Sequence, residues 1–160
     1  MNAVRIWDLP TRLFHWSLAI CVIALVVTAK VGGDAMNWHF RLGYAVFTLL
    51  LFRLLWGLVG GHWSRFASFF PTPGRLARYL GGRATAHDTA GHNPLGALMM
   101  LALMVLVLSL GLTGWLQTTD AYWGEEWLME LHEWLANGLL RAAGLHAAAA
   151  IVMGRLERTR

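Results

Sequence analysis

Residues 131–150 read LHEWLANGLLRAAGLHAAAA, an apolar stretch long enough to cross a lipid bilayer as one helix. It carries His132 and His146, and ionisable side chains inside a membrane span mark functional sites by default. The two histidines are fourteen residues apart, which is roughly 21 Å along a helix but only about 40° around it. One helix face therefore offers a ligand near each membrane surface. This spacing is too wide for a single metal ion and suits two separate cofactors.

The composition places the whole chain in a membrane. Of its 160 residues, 57% are hydrophobic and 14% are charged, whereas soluble domains carry about a quarter charged residues. The net charge of +4 comes from loop arginines, which membrane topology explains better than nucleic-acid binding does. The single cysteine, Cys21, excludes an internal disulfide, and the chain has no CxxCH sequence for a covalent c-type haem. A redox cofactor would therefore be held by histidine, methionine or packing.

Four apolar segments are long enough to span the bilayer. The sequence predicts spans over about residues 12–31, 38–60, 94–117 and 128–153. Their short connections predict an all-α fold, an integral membrane four-helix bundle that forms one domain over residues 1–160. Within the longest connection, FFPTPGRLARYL (69–80) predicts an amphipathic helix at the membrane interface.

The distribution of basic residues predicts the orientation. Arginines crowd the N-terminus, the 61–93 connection and the C-terminus, whereas the other two loops have Lys30 as their nearest cation. By the positive-inside rule, both termini and the 61–93 connection face the cytoplasm. The apolar run at residues 18–29 has no convincing cleavage site, so we interpret it as part of an uncleaved first helix.

Four of the seven histidines fall inside or at the ends of the predicted spans. With this orientation, His39 and His132 lie near the outer surface (the outer pair), and His15 and His146 lie near the inner surface (the inner pair). Two depth-matched pairs predict two haems b, because a low-spin haem iron takes one neutral imidazole on each face. Of the remaining histidines, His62 and His87 fit loop polarity or interfacial anchoring, whereas His92, just before Pro94, could also contact a lipid headgroup or a cofactor edge.

Two further residues of the second span are candidates for the cofactor sites. Gly43 is one turn after His39 and would let a flat macrocycle approach the backbone, although a packing glycine fits equally well. Arg53 lies near the inner surface, where it would contact a haem propionate or snorkel to lipid phosphates. Arg141 lies about 180° from the His132 face of its helix, and no function is predicted for it.

Motifs along nearly the whole chain point to a known family. They are VRIWDLPTRLFHW (4–16), HFRLGYAVFTLLLFRLLWG (39–57), GHNPLGALM (91–99), and LHEWLAN with GLHAAAA (131–150). In these motifs the chain resembles the bacterial cytochrome b561 family, which includes the b-type cytochrome subunits of nickel–iron hydrogenases. The resemblance implies a di-haem b protein of the bacterial inner membrane that passes respiratory electrons between a membrane quinone and a redox partner. It places the ligands on the same four histidines, His15, His39, His132 and His146.

Acidic residues on the predicted outer side suggest what that partner is. Asp34, Asp120, Glu125 and Glu126 outnumber Lys30 there, which favours docking of a basic periplasmic carrier such as a cytochrome c or another redox subunit. The same carboxylates would also satisfy topology and solvation without any partner.

Two other functions compete with that of a free-standing electron-transfer cytochrome. The first is a haem-carrying membrane anchor subunit of a larger oxidoreductase such as a hydrogenase. The second is a haem-free metal or proton transporter. Against the transporter, the histidines are too far apart for one site, and the spans lack a relay of carboxylates beyond Glu130 and Glu133.

Overall fold

A computed structural model of the protein describes residues 8–85 and 93–158, and all regular structure in these ranges is helical. The helices there are α1 (Leu9–Val31), α2 (Ala35–Val59), α3 (Phe66–Phe69), α4 (Pro73–Leu80), α5 (Pro94–Leu116) and α6 (Glu126–Arg158). A short 3-10 turn covers His62–Ser64. Helices α1, α2, α5 and α6 are long and apolar enough to cross a membrane. The prediction of an all-α membrane protein with four spans is therefore confirmed.

Helices α1, α2 and α6 begin before the predicted spans, whereas α5 begins at Pro94 as predicted and ends at Leu116. Helix α1 begins at Leu9 because the side chain of Asp8 caps it, accepting a hydrogen bond of 2.8 Å from the Thr11 backbone N–H. Pro10 lies in the first turn, where its missing N–H has no helical partner to lose. Helix α6 begins at Glu126, whose negative charge suits a helix N-terminus, and it continues to Arg158.

A tight turn of two glycines joins α1 to α2. Gly32 and Gly33 have φ angles of 67° and 53°, which glycine adopts without the steric cost that other residues incur. The N–H of Gly32 donates to the carbonyl oxygen of Thr28 and so ends α1 with a satisfied carbonyl. This turn brings the end of α1 beside the start of α2.

The chain divides into two compact units, Met1–Leu98 and Met99–Arg160. In the first unit α1 packs along α2, and the buried side chains include Phe14, Val46 and Leu50. In the second unit the buried side chains of α5 and α6 include Val107, Leu128 and Leu139. The prediction of a single domain over residues 1–160 stays a prediction.

Most apolar side chains of the four long helices are exposed in the structure. Examples are Ile20, Leu51, Val105 and Leu145, which are 53% to 65% exposed. Helices that are apolar around most of their circumference are stable in hydrocarbon, where every backbone polar group is satisfied within the helix. The exposed faces are therefore those expected of lipid-facing spans.

The predicted amphipathic helix is confirmed over Pro73–Leu80 but not over residues 69–72. Phe70 has an extended backbone because the following residue is Pro71, which disfavours a helical residue before it. The helix starts after Thr72, whose hydroxyl accepts from the Arg75 backbone N–H at 3.3 Å. Its position at a membrane interface stays a prediction.

Candidate cofactor site

His39 lies near the start of α2, half-buried against the end of α1. Its Nδ1 is 3.0 Å from the carbonyl oxygen of Leu25 and 3.2 Å from Oγ1 of Thr28. A carbonyl oxygen can only accept, so Nδ1 of His39 carries a proton and donates it. In the neutral ring, Nε2 then keeps its lone pair, which is the form needed to bind a metal ion.

His132 has a similar arrangement on the second helix pair, between α5 and α6. Its Nδ1 is 2.8 Å from Oγ1 of Thr113, and that hydroxyl is also 2.8 Å from the carbonyl oxygen of Ser109 in the preceding turn. A hydroxyl has one proton, and the Ser109 carbonyl is an acceptor only. With the proton directed to Ser109, the Thr113 oxygen accepts from Nδ1–H, and Nε2 of His132 keeps its lone pair.

This donor set fits a haem iron, which takes neutral imidazole nitrogens on its two faces. Metal-bound histidines commonly donate their other ring N–H to a carbonyl or polar acceptor. Nδ1 of His39 does so to the Leu25 carbonyl oxygen, and Nδ1 of His132 has the Thr113 hydroxyl as its partner. Gly43, predicted to leave room for a macrocycle, has open space beside it: an added Cβ would meet no atom within 4 Å. The place of Gly43 in the cofactor site stays a prediction, as does its alternative interpretation as a packing glycine.

The inner-pair residues are also on membrane helices. His15 is exposed on α1, with the ring of Trp16 edge-on at 5.6 Å, and His146 is half-buried on α6. His15 and His39 belong to the first compact unit of the chain, and His132 and His146 belong to the second. The four predicted ligands thus lie on three helices, and their pairing by depth stays a prediction.

The other predicted histidines lie in or near the connection between α2 and α5. His62 is exposed, in contact with the ring of Trp63 at 5.0 Å, as expected of a loop residue. His87 and His92 lie outside the residues that the structure describes.

Asp8 is the centre of a polar network at the start of α1. Its Oδ2 accepts from Oγ of Ser64 at 2.6 Å and from the indole N–H of Trp56 at 3.0 Å. Burial tends to raise the pKa of Asp8, but the hydrogen bonds from Ser64, Thr11 and Trp56 outweigh it and lower the pKa from 3.8 to about 2. The ionised carboxylate therefore ties α1 to the end of α2 and to the following turn.

Arg53 is part of the same region, and only 3% of it is exposed. Its Nη1 donates to the carbonyl oxygen of Ser64 at 3.1 Å, and its guanidinium lies 4.8 Å from the centre of the Phe66 ring. A guanidinium has five N–H donors, so this contact leaves others for an anionic group. The predicted contact with a haem propionate stays a prediction, and burial of Arg53 in the protein disfavours the snorkelling alternative.

Sequence reasoning missed the threonines beside the outer pair. Thr28 and Thr113 each lie three residues before the end of an apolar helix, and the next membrane helix carries a histidine near its start. This shared position could have been used to predict the threonine–histidine contacts, because two helices joined by a short connection bring such residues to similar depths.

Apolar membrane helices that carry histidines with a hydrogen-bonded Nδ1 are typical of one class of proteins, the b-type cytochromes of membranes. The family model of prokaryotic cytochrome b561 matches residues 6–159, and the chain belongs to this family. The protein is accordingly a multi-pass membrane protein that carries haem b and functions in electron transfer.

Curated relatives agree with this assignment. The chain is 27% identical over 161 residues to a "Probable Ni/Fe-hydrogenase B-type cytochrome subunit" of Azotobacter vinelandii, covering 84% of this chain and 67% of that protein. It is 23% identical over 178 residues to the "Probable Ni/Fe-hydrogenase 1 B-type cytochrome subunit" of Escherichia coli K12, covering 84% and 75% respectively. No solved structure matches the chain.

Proposed function

We propose that this protein is a di-haem b cytochrome of the bacterial inner membrane that transfers electrons between the quinone pool and a redox partner protein. His39 and His132 hold the outer haem, and His15 and His146 hold the inner haem. The observation that carries this proposal is the hydrogen bonding of the outer pair: Nδ1 of His39 lies 3.0 Å from the Leu25 carbonyl oxygen, and Nδ1 of His132 lies 2.8 Å from the Thr113 hydroxyl, as is common for histidines that bind a metal through Nε2.

The haem group supplies one-electron chemistry when it is bound, and the chain supplies its ligands and surroundings. Hydrogen bonds at Nδ1 hold the outer-pair imidazoles in place and favour the tautomer that binds iron through Nε2. Gly43 keeps the surface beside His39 open, and Arg53 provides a positive charge for a propionate near the inner pair. The apolar faces of the long helices exclude water and place the ligands within lipid.

The arginine distribution supports an orientation with both termini and the 61–93 connection in the cytoplasm. The outer pair then lies toward the periplasm, where a cytochrome c or another redox subunit exchanges electrons with it. Quinone or quinol reaches the protein from the surrounding lipid.

A second candidate function is that of a haem-carrying anchor subunit in a hydrogenase complex. The names of the relatives, which are hydrogenase b-type cytochrome subunits, favour it. The two proposals differ in activity: a free-standing carrier oxidises quinol or reduces quinone without other subunits, whereas an anchor does so only in its complex. Stopped-flow mixing of the purified protein with a quinol separates them.

The test of the di-haem proposal is haem content, measured as pyridine haemochrome per chain after haem-replete expression. The wild type is expected to hold two haems b. His15→Ala or His146→Ala should remove one haem, and His39→Ala or His132→Ala should remove the other. The haem that remains should differ between the two sets of variants in its absorption maximum or midpoint potential.

The matched control for these variants is His62→Ala, because His62 is an exposed loop histidine. It should retain both haems. A wild type with a single haem per chain contradicts the proposal.

A further inference from the structure

We propose that Thr28 and Thr113 are positioning residues that keep the proton on Nδ1 of His39 and His132 and thereby lower the reduction potential of the outer haem. This inference rests on the proposed function, because it takes His39 and His132 as the ligands of one haem. It assigns a role to two side chains that the ligand set itself does not include.

The two threonines have the same geometry in separate units of the chain. Oγ1 of Thr28 is 2.8 Å from the carbonyl oxygen of Ala24, and Oγ1 of Thr113 is 2.8 Å from that of Ser109. Each hydroxyl thus has a carbonyl acceptor one turn back in its own helix. A hydroxyl oxygen that donates its proton in this way presents lone pairs to the neighbouring helix, where it accepts from a histidine N–H.

The direction of this hydrogen bond decides whether the histidine can bind iron through Nε2. A hydroxyl that donated to Nδ1 would favour the other tautomer, with the proton on Nε2, and that nitrogen could not ligate. A hydroxyl that accepts from Nδ1–H fixes the ligating tautomer and makes the imidazole a more basic ligand. A more basic ligand stabilises ferric iron more than ferrous iron, so it lowers the reduction potential.

The hydrogen bonds that the two threonine hydroxyls make to the histidines are expected to differ in strength. Nδ1 of His132 is 2.8 Å from the Thr113 hydroxyl, whereas Nδ1 of His39 is 3.2 Å from the Thr28 hydroxyl and closer, at 3.0 Å, to the Leu25 carbonyl oxygen. The Leu25 acceptor belongs to the backbone and survives substitution of Thr28. Removing the Thr113 hydroxyl should therefore have the larger effect.

The experiment is a spectroelectrochemical titration of the purified full-length protein, in which the midpoint potential of each haem is measured separately. Thr113→Val removes the hydroxyl while keeping the shape of the side chain. We expect it to raise one of the two midpoint potentials by about 59 mV. For one electron, this shift is about a tenfold change in the equilibrium between ferric and ferrous haem. Thr28→Val should raise the same potential by less.

The matched control is Thr48→Val on α2. Thr48 also donates to the carbonyl oxygen one turn back, that of Tyr44, but on an exposed face. It should leave both potentials unchanged. If Thr113→Val loses the outer haem, Thr113→Ser restores the hydroxyl and should restore that haem; loss in both variants contradicts a role for the hydroxyl.

Three other results would overturn the inference. Unchanged potentials in both Thr113→Val and Thr28→Val, with two haems bound, would show that the hydroxyls do not tune the haem. If Thr113→Val shifted the potential of one haem and Thr28→Val shifted that of the other, the two threonines would not serve one site. A wild type without two haems contradicts the proposed function, and the inference with it, before any variant is made.

Discussion

His132 packs against the backbone of α5 at Gly114. A Cβ added at Gly114 would lie 3.2 Å from Cε1 and 3.7 Å from Nδ1 of the imidazole, so the ring would have to move by a few tenths of an ångström. The neighbouring Thr113 holds the same ring by its 2.8 Å hydrogen bond, which such a movement would strain. Thr113 thus holds the imidazole of His132 by a hydrogen bond, and Gly114 leaves space for the ring because it has no side chain.

We expect Gly114→Ala to weaken haem binding at the outer site by about tenfold, a loss typical of changes to residues that orient metal ligands. Titration of the haem-free protein with haem measures this affinity from the ratio of bound haem to protein. Gly154→Ala is the control, because an added Cβ there meets no atom within 4 Å. Equal affinity in the wild type and in Gly114→Ala would show that His132 does not need this space.

At the residue scale, the sequence indicated candidate ligands but not the residues that contact them. A histidine in an apolar span is costly and therefore conspicuous, and depth alone grouped the four candidates. A threonine such as Thr28 is different, because its hydroxyl bonds to its own helix and is tolerated in lipid without further partners. Only the structure shows which of these hydroxyls also faces a histidine.

At the scale of elements, the start of α1 is tied to the far end of α2. Asp8 contacts Trp56 and Ser64, which are 48 and 56 residues away in the chain. The sequence carries a local signal for this helix start in Pro10, which suits the first turn of a helix. It did not predict the Asp8 network, because contacts over such separations depend on how α1 and α2 pack.

We expect Asp8→Ala to lower the free energy of unfolding by about 1–2 kcal/mol at pH 7, as loss of a helix cap usually does. The pKa of Asp8 is lowered from 3.8 to about 2, so its carboxylate stabilises the fold above pH 3.8. That contribution is lost as pH falls toward 2, and the difference between wild type and variant should shrink over this window. Thermal unfolding in detergent at several pH values measures it.

Asp34→Ala provides the matched control for Asp8→Ala. Asp34 is also the N-cap residue of a membrane helix, but its side chain makes no capping hydrogen bond. Its substitution should change the stability by well under 1 kcal/mol, as is usual for surface positions. A loss at Asp34 as large as that at Asp8 would contradict the role of the Asp8 network.

At the scale of the whole molecule, the arginines determine the expected orientation in the membrane. In a Cys21→Ser background, a membrane-impermeant thiol reagent added outside intact cells should label a cysteine placed at Asp34 or Asp120. It should not label a cysteine at Thr85, and permeabilised cells provide the control that this cysteine can react. Labelling of Thr85→Cys from outside would reverse the orientation and exchange the inner and outer haem sites.

The acidic loop between α5 and α6 has roles within the protein as well as a proposed one toward a partner. The indole N–H of Trp127 donates to a carboxylate oxygen of Glu125 at 3.1 Å, and Glu126 is the first residue of α6. Both side chains are exposed, and a negative charge at a helix N-terminus is favourable in itself. The local contacts therefore explain why these residues are acidic without requiring a partner, and only kinetics can distinguish the two roles.

If the loop docks a basic periplasmic electron carrier, the second-order rate of electron transfer should fall steeply with salt. Exposed charges attract one another over a distance of about 10 Å at 0.1 M ionic strength, and higher salt shortens that distance. Glu125→Gln combined with Glu126→Gln should slow transfer at low salt and flatten its salt dependence, as measured by stopped flow. Arg83→Gln, which removes one positive charge on the predicted cytoplasmic side, should have no such effect. Rates that respond to neither salt nor the glutamine substitutions would leave these carboxylates with only their contacts inside the loop.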